Sequence, residues 1–349
     1  MKRKMMTVAM MAAMMLVTVT GCGDAKTTAD GGNASAADGT VYKVGIVQYV
    51  DDASLNQIEK AIEAELDVKG AELGVTFDYA DYKYNGQADP STLNQIAADL
   101  VAEKVDVIIP IATPTAMIMQ NATEENQIPV VFSAVSDPVG AGLVASMDAP
   151  GANITGTSDA LDTKAVMNLI LAANSDAKTI GLLYDKSQDG SLGAIEDAKA
   201  FCEANNLEYV EKTGTTNAEI SAAVDSLIAS GVDAVFTPTD NTIMTAELAI
   251  YEKFTDAKVP HYTGADSFAL NGAFCGYGVN YEELGTATAD MVVDVLVNGA
   301  KPADTAVKTL DNGIVTVNTE TAEAIGLDYS MFADLCSELK EIQTAQSFE

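Results

Sequence analysis

The sequence predicts an α/β protein made of two doubly wound lobes, each with a parallel β-sheet, joined by a hinge of several strands. Strands that are apolar throughout alternate with amphipathic helical segments, which is typical of parallel sheets covered by helices. The same series of segments occurs twice in the same order, which indicates that one lobe has been duplicated.

Three pairs of segments carry this repeat. Each is an apolar strand that ends in polar residues, and the helices between them have apolar residues at a period near 3.6. The matched segments are 43–49 with 179–185, 105–115 with 232–242, and 128–137 with 259–267. Beyond the second repeat the sequence predicts a helix over 283–297, a strand over 313–317 and a short helix over 320–325. These extra elements indicate that the chain crosses back between the lobes.

The start of the chain is typical of an export signal. Basic residues at 2–4 precede an apolar run over 5–19, and a glycine precedes Cys22. This arrangement defines a secretory signal, and a cysteine directly after the cleavage point resembles a lipobox. We therefore expect residues 1–21 to be a lipoprotein signal peptide and Cys22 to carry the lipid.

The remaining chain divides into a stalk and two lobes. Residues 22–40 are small and polar without apolar periodicity, so they are predicted to form a flexible stalk. The N-terminal lobe is expected to contain residues 41–157 and 280–307. The C-terminal lobe is expected to contain residues 158–279 and 308–349.

The composition excludes several classes of function. The formal net charge is −32, which argues against a nucleic acid partner because phosphate binding needs clustered Lys and Arg. The sequence has one histidine, His261, no tryptophan, and a single arginine, Arg3, within the signal. A His-rich zinc site, a Ser-His-Asp triad and an arginine clamp are therefore disfavoured. We expect no metal, no cofactor and no enzymatic activity, and a structural role for His261.

Three cysteines remain once Cys22 is assigned to lipid. Cys202 and Cys336 lie on the apolar faces of helical patterns and are expected to be small buried hydrophobes. Cys275 lies at the start of a strand. We expect no disulfide, although the sequence leaves a pairing of Cys275 open.

Polar residues at the carboxyl ends of the strands are the candidate binding residues, because ligands of doubly wound sheets bind where strands turn into helices. Two facing lobes would line a cleft with these turns. The candidates are Gln48, Tyr49, Thr113, Pro114, Thr115, Ser133, Ser136, Asp137, Thr239, Asp240, Asn241 and Asp266, with Ser187, Gln188 and Ser267 in similar positions.

Two chemical roles follow from these residue types. The turn at 113–115 opens a helix, whose first N–H groups and dipole favour an anion such as a carboxylate. Thr113 and Thr239 are equally suited to be ordinary helix N-caps. Tyr49 is suited to form an apolar or stacking wall.

The acids among the candidates have no cation nearby in the sequence, and a poorly paired carboxylate suits a ligand ammonium group. Asp240 is also suited to cap the helix that begins near Asn241, and Asp137 is suited to start a turn. Asp266 is favoured among the three because no helix is predicted for it to cap.

Four runs of the sequence carry a family resemblance. The runs 111–116, 129–144, 151–156 and 238–241 together resemble the ABC transporter substrate-binding lipoproteins of the tryptophan/tyrosine-binding type. The resemblance extends over about residues 41–328. It implies a type I periplasmic-binding-protein fold, in which a ligand is held between two lobes and delivered to a membrane permease driven by a cytoplasmic ATPase.

The resemblance also implies where the binding residues lie. It assigns the Thr113 turn and residues 133–137 to the wall of the N-terminal lobe, and residues 239–241 and Asp266 to the wall of the C-terminal lobe. It implies an aromatic amino acid or a similar small molecule as the ligand.

We therefore predict an extracytoplasmic, lipid-anchored, monomeric solute-binding component of an ABC importer, which closes its lobes around the ligand. A sensory solute receptor stays open as an alternative role. A sugar or a nucleoside stays open as an alternative ligand, although a sugar site usually offers stacking aromatics and the sequence has no tryptophan.

Overall fold

The computed structural model describes residues 39–345, 347 and 348. The predicted signal peptide at 1–21, the lipidation site Cys22 and the stalk up to residue 38 lie outside the described residues. The described chain forms two α/β lobes with parallel-dominated sheets. This arrangement confirms the predicted fold class.

The sheet of the N-terminal lobe contains seven strands of the described chain. They are β1 (Val41–Gln48), β2 (Thr76–Asp78), β3 (Lys83–Asn85), β4 (Val107–Ile111), β5 (Val130–Phe132), β6 (Ile154–Ser158) and β12 (Lys308–Thr309). Their order is β12-β6-β5-β4-β1-β2, with β3 also paired to β1. All the pairings are parallel.

Four helices pack on this sheet: α1 (Ala53–Leu73), α2 (Pro90–Glu103), α3 (Thr113–Thr123) and α9 (Tyr281–Leu296). A 3₁₀ turn at Ala80–Tyr82 precedes β3, and another at Pro302–Asp304 precedes β12. Helix α9 approaches α1 closely at Gly285, where an added Cβ would lie only 2.5 Å from the carbonyl oxygen of Ile58. Glycine at this position lets the two helices pack backbone against backbone.

The sheet of the C-terminal lobe also contains seven strands of the described chain. They are β7 (Thr179–Tyr184), β8 (Glu208–Thr213), β9 (Ala234–Thr237), β10 (His261–Thr263), β11 (Cys275–Gly278), β13 (Ile314–Asn318) and β14 (Glu338–Ile342). Their order is β14-β13-β11-β10-β9-β7-β8, and only the pairing of β11 with β13 is antiparallel. The helices are α4 (Thr163–Ala173), α5 (Asp189–Ala204), α6 (Asn217–Ala229), α7 (Asn241–Ala257), α8 (Asp266–Leu270) and α10 (Thr319–Ile325).

The repeat seen in the sequence has a direct structural counterpart. Strands β1, β4 and β5 pair side by side in the first sheet, as β7, β9 and β10 do in the second. A glycine in each central strand leaves room for a leucine of the covering helix: an added Cβ would lie 2.9 Å from Leu100 at Gly45 and 3.1 Å from Leu227 at Gly181. The two lobes therefore share their packing as well as their order of elements.

The chain crosses between the lobes after β6, after β11 and after β12. The crossings contact each other, since the Asn312 side-chain amide donates to the Ala160 carbonyl and the Gly313 N–H donates to the Gly278 carbonyl. Because Lys308 and Thr309 pair with β6 of the first sheet, the last crossing lies two residues beyond the predicted boundary after residue 307.

The region around Cys336 differs from the helical pattern expected for it. Residues Ser330–Asp334 form a 3₁₀ turn, and β14 follows. Pairing with β13 along the whole of β14 outweighs the helical spacing of the apolar residues, and Leu335 is 48% exposed. Cys202 and Cys275 are buried as free thiols, and Cys336 is partly buried. No described helix has both the length and the apolar character needed to cross a membrane.

Candidate functional site

A small inner cavity lies between the two lobes and has a volume of about 20 Å³. Its lining comes from both lobes and from the crossings: Ser54, Thr113 and Ser136 on one side, Thr239, Asn241 and Met244 on the other, and Asp159 and Tyr281 at the crossings. A volume of this size has room for about one water molecule. The lobes are therefore closed more tightly than they would be around an amino acid.

A wider outer cleft of about 440 Å³ adjoins the inner cavity and shares Thr113 and Asn241 with it. The N-terminal lobe contributes an apolar surface there, made of Tyr49, Leu93, Pro114, Met117 and Ile118. The C-terminal lobe contributes mostly polar residues, such as Gln188. The two spaces together offer a polar inner end and an apolar outer end.

The start of helix α3 faces the inner cavity without a side-chain cap. Its N-cap position is Ala112, whose φ of +79° is unusual for a residue other than glycine and whose side chain offers no acceptor. The first N–H groups of a helix have no partner within the helix and carry a partial positive charge. The Thr115 hydroxyl, in the same turn, is buried without a hydrogen-bond partner, and it lines neither the inner cavity nor the outer cleft. This turn is therefore equipped to receive an anion.

Asp159 places a buried carboxylate in the same cavity. It follows β6 at the first crossing and is 5% exposed. The Ser136 hydroxyl donates to it over 3.0 Å, and it belongs to none of the ion pairs formed by the described lysines. Burial raises the pKa of Asp159 to about 6, against the opposing effect of the Ser136 hydrogen bond. This carboxylate therefore lacks a compensating cation.

Two other buried acids, Asp52 and Asp266, act with Asp159 on the hydroxyl of Tyr281. Asp52 caps α1 by accepting from the N–H groups of Ser54 and Leu55, and burial raises its pKa to about 6. Burial raises the pKa of the Tyr281 hydroxyl well above its usual value, and the charges of Asp159, Asp266 and Asp52 raise it further. Three acids therefore surround the Tyr281 hydroxyl, and Asp159 is the one that lines the inner cavity.

Asp266 joins the two lobes at one side of the cavity. Its carboxylate accepts from the Ser54 hydroxyl over 2.5 Å and from the Gln57 side-chain amide over 3.2 Å, both in α1. The Ser267 N–H also donates to the Ser54 hydroxyl. The expectation that no helix follows Asp266 is wrong, because α8 begins there. The carboxylate borders a separate groove of about 1250 Å³, and only its neighbour Ala265 lines the inner cavity.

A second link between the lobes lies at the outer cleft. Tyr49 of the N-terminal lobe and Gln188 of the C-terminal lobe line this cleft from opposite sides, and the Gln188 side chain lies close enough to affect the Tyr49 hydroxyl. The same Gln188 accepts from the Asn241 side-chain amide over 3.1 Å. Burial raises the pKa of Tyr49, and the Gln188 side chain acts in the opposite direction. These three predicted residues therefore meet, and they connect the lobes.

The structure commits Asp240 to a structural role. One carboxylate oxygen accepts from the N–H groups of Thr242 and Ile243, so Asp240 caps α7. The other accepts from the Asp185 N–H and the Ser191 hydroxyl, both over 2.8 Å. Burial raises its pKa to about 6 although these four donors favour the charged form. A carboxylate has about four acceptor positions, so none is left for an ammonium group.

Four other candidates also bond within the protein. The Ser133 hydroxyl lies in a buried group with the hydroxyls of Thr157 and Thr288. The Thr239 hydroxyl donates to the Gly264 carbonyl. The remaining two are Gln48, which donates to Asn56, and Asp137, which accepts from the Gly140 N–H in a turn.

The structure thus brings together Thr113, Ser136, Thr239 and Asn241 at the inner cavity, with Tyr49 and Pro114 at the outer cleft. The sequence argument did not include Asp159, Tyr281, Ser54, Leu55 or Met244. A usable signal existed for Asp159, since it is an acid at the carboxyl end of a strand. The strand itself contains Thr155, Thr157 and Ser158, so it lacked the apolar run that marked the others.

Three comparisons relate the chain to known proteins. The family described as ABC transporter substrate binding protein matches residues 43–331. A tyrosine-binding protein of Clostridioides difficile (strain R20291) is 33% identical over 325 residues, which are 91% of this chain and 92% of that protein.

Two solved structures are similar over most of the chain. One is the ABC domain from Streptococcus pneumonia in complex with L-Trp, with a TM-score of 0.79, 32% identity, and coverage of 86% of this chain and all of that one. The other is the ligand-free, open structure of a substrate-binding protein with adhesive properties from Clostridium difficile. It has a TM-score of 0.66, 31% identity, and coverage of 87% of this chain and 100% of that one.

Proposed function

Because this chain belongs to the family of ABC transporter substrate-binding proteins, we propose that it binds an aromatic amino acid between its lobes and serves as the solute receptor of an ABC importer. The inner cavity supplies the observation that carries this proposal. It combines the uncapped start of α3 with the uncompensated carboxylate of Asp159. A positive and a negative receptor around one small space complement a zwitterion.

The two ends of the ligand are assigned to these two receptors. The α-carboxylate binds the first N–H groups of α3 and the hydroxyl of Thr113, which needs no arginine. The α-ammonium group binds the carboxylate of Asp159. This assignment replaces the three acids predicted from the sequence.

The aromatic side chain is assigned to the outer cleft. The apolar surface there includes Leu93, Met117 and Ile118, and a volume of about 440 Å³ is within the usual range for small-molecule sites. A tyrosine-binding relative and a structural neighbour that holds L-Trp support the same ligand class. Because the inner cavity holds only about one water, the lobes must separate slightly to admit the polar end of the ligand.

Lobe closure is the proposed response to the ligand. The chain matches the L-Trp complex with a TM-score of 0.79 and the open, ligand-free structure with 0.66, at nearly equal identity, which supports a closed arrangement here. A ligand that contacts both lobes stabilises the closed form over the open one. The closed form is then the one that docks on the permease, which passes the solute inward with energy from the ATPase.

Location follows from the sequence signal. Substrate-binding proteins of this family work outside the cytoplasm, and the lipobox-like sequence at Cys22 supports a lipid anchor that tethers a monomer to the membrane. Replacement of Cys22 by alanine is expected to release the protein from the membrane fraction and to abolish labelling by radioactive fatty acid. A protein that stays in the membrane unlabelled would contradict the anchor without touching the ligand proposal.

Isothermal titration of the purified protein with L-tryptophan, L-tyrosine and L-phenylalanine tests the ligand. We expect saturable binding of at least one, and a loss of about 100-fold in affinity for Asp159→Asn, because the ammonium group loses its buried charged partner. Asp137→Asn is the matched control, since its carboxylate belongs to a turn, and it should stay within about twofold. Binding of only sugars or nucleosides would overturn the amino-acid proposal.

A further inference from the structure

The closed inner cavity buries acid without a matching cation. Asp159 is nine-tenths or more buried and has one described hydrogen-bond donor from another side chain, the Ser136 hydroxyl. An isolated charge in such a place is costly, and a buried carboxyl group becomes neutral unless a cation joins it. The empty, closed protein and the ligand-bound protein therefore need different protonation states of Asp159.

We propose that Asp159 is the specificity-determining residue of the cleft, and that it exchanges a proton for the cation of the ligand. This inference rests on the proposed binding of an amino acid, and it makes that binding dependent on pH at the same site. Below about pH 6, where burial keeps Asp159 neutral in the closed, empty protein, the carboxylic acid loses its proton to solvent as the ligand ammonium group arrives. The product is a carboxylate paired with that ammonium group, so charge and atoms balance with one proton released.

The geometry around Asp159 suits both states. A serine hydroxyl both donates and accepts hydrogen bonds, so Ser136 can donate to the carboxylate and accept from the neutral acid. Burial, the main cause of the raised pKa of Asp159, depends on closure because residues of both lobes line the cavity. Opening the lobes returns Asp159 to water, where its proton is held less tightly.

The other groups that face this region are acidic or neutral. Tyr281 in α9 lines the inner cavity, and Asp52 at the start of α1 and Asp266 in α8 lie close enough to act on its hydroxyl. Asp52 is satisfied by the N–H groups it caps, and Asp266 by α1, with Lys340 as a favourable charge beyond it. These acids act on the Tyr281 hydroxyl, and burial is the main cause of the raised pKa of Asp159.

This exchange sets the class of ligand. A molecule with a carboxylate and an aromatic ring but no amino group, such as 3-phenylpropionate, cannot replace the proton. It would leave Asp159 either neutral and unused or charged and unpaired. The cleft is therefore selective for ligands that carry their own cation.

The test is a titration of the purified protein with whichever of the three aromatic amino acids binds, in two buffers with different ionisation enthalpies. The difference in heat counts the protons released. Burial raises the pKa of Asp159 to about 6, so we expect release of about one proton per ligand near pH 5 and almost none near pH 8. Affinity should fall about tenfold for each pH unit below about 6 and stay level above it.

Two variants assign the proton. Asp159→Asn cannot ionise, so its binding should be weaker, with no proton release and no dependence of affinity on pH between about 5 and 8. Asp52→Asn is the matched control, because Asp52 also has a raised pKa of about 6 and asparagine caps a helix as well as aspartate does. It should release protons as the unchanged protein does.

The possible results distinguish a failure of the proton exchange from a failure of the proposed amino-acid binding. Binding of an aromatic amino acid without proton release, or release that survives Asp159→Asn and disappears in Asp52→Asn, overturns the exchange and leaves the function intact. Equal binding of 3-phenylpropionate and L-phenylalanine overturns the specificity. Failure of all three amino acids to bind at any pH overturns both.

Discussion

The two lobes place helices α3 and α7 at equivalent positions, but the starts of these helices differ. Helix α7 is capped by Asp240, which also receives two donors from the neighbouring β7–α5 segment. Helix α3 has Ala112 at the same place, and no side chain caps it. One copy of the duplicated turn is saturated within the protein, and the other is left free to bind an anion.

The helices that follow β1 and β7, which are α1 and α5, show the opposite difference: here the N-terminal lobe has the capped helix. Helix α1 of the N-terminal lobe is capped by Asp52, whereas α5 of the C-terminal lobe has Gln188 at its N-cap position and no side-chain hydrogen bond there. The first turns of α5 lie against the other lobe, since a Cβ added at Gly190 would lie 3.1 Å from the Thr113 hydroxyl. Of the two helix starts compared in each lobe, one is saturated and the other is open, and the open ones face the cleft.

The largest expected effect comes from removing the Asp240 side chain that caps α7. Asp240→Ala should lower the free energy of unfolding by about 3 kcal/mol, because it removes a cap and leaves the Asp185 N–H and the Ser191 hydroxyl buried without an acceptor. Urea denaturation measures the change. Asp89→Ala is the control, since Asp89 caps α2 at an exposed site, and it should cost about 1 kcal/mol. Equal losses would show that the two further donors to Asp240 contribute nothing.

An intermediate effect is expected from the link at the outer cleft. Gln188→Ala removes the side chain that lies between Tyr49 of one lobe and Asn241 of the other. This bridge joins the lobes only when they are closed. Ligand affinity should fall about tenfold, or ~1.4 kcal/mol, mainly through faster dissociation. Stopped-flow displacement measures the rate. A slower association rate with unchanged dissociation would contradict a role in holding the lobes together.

The smallest effect is expected from the hydroxyl of Thr115 in the open start. Thr115→Val keeps the shape and removes a buried hydroxyl that has no partner in the described protein, so stability should not fall. Affinity should fall about fivefold, or ~1 kcal/mol, if the hydroxyl donates to the ligand carboxylate. Thr163→Val is the control, because the Thr163 hydroxyl is also buried without a partner but lies at the start of α4. Equal effects on affinity would remove Thr115 from the site.

The sequence predicted the strands that carry the repeat, because these are largely apolar and buried parallel strands need such runs. Strands β2, β3, β8, β12 and β14 are short or contain charged residues, so they were not predicted. Strand β6 lacked that signal, since its buried Thr155 and Thr157 are polar and bond to distant partners, the Thr305 carbonyl and the Thr288 hydroxyl. Asp159 follows this strand, so the acid with the best position was not among the candidates. Partners more than a hundred residues away cannot be read from a local pattern.

The structure was also needed to choose among the predicted acids. Asp240 and Asp266 both follow a strand and precede a helix, so their local sequences are alike in kind. What distinguishes them is the donors that approach from elsewhere, such as Ser191 for Asp240 and Ser54 for Asp266. The sequence could place these acids near the cleft, but it could not show that their oxygens are already occupied.

The packing of α9 on α1 has a consequence for biosynthesis. The apolar face of α1, with Ile58, Ile62 and Leu66 fully buried, is covered by a helix more than two hundred residues later in the chain. The Thr288 hydroxyl of α9 also completes the buried group formed by Ser133 and Thr157. A growing chain therefore has no finished first lobe until residue 309, the end of β12, has been made, and contacts of such long sequence separation form slowly. The export proposed above would gain from this delay, because a chain that is still unfolded can be threaded through a translocation pore.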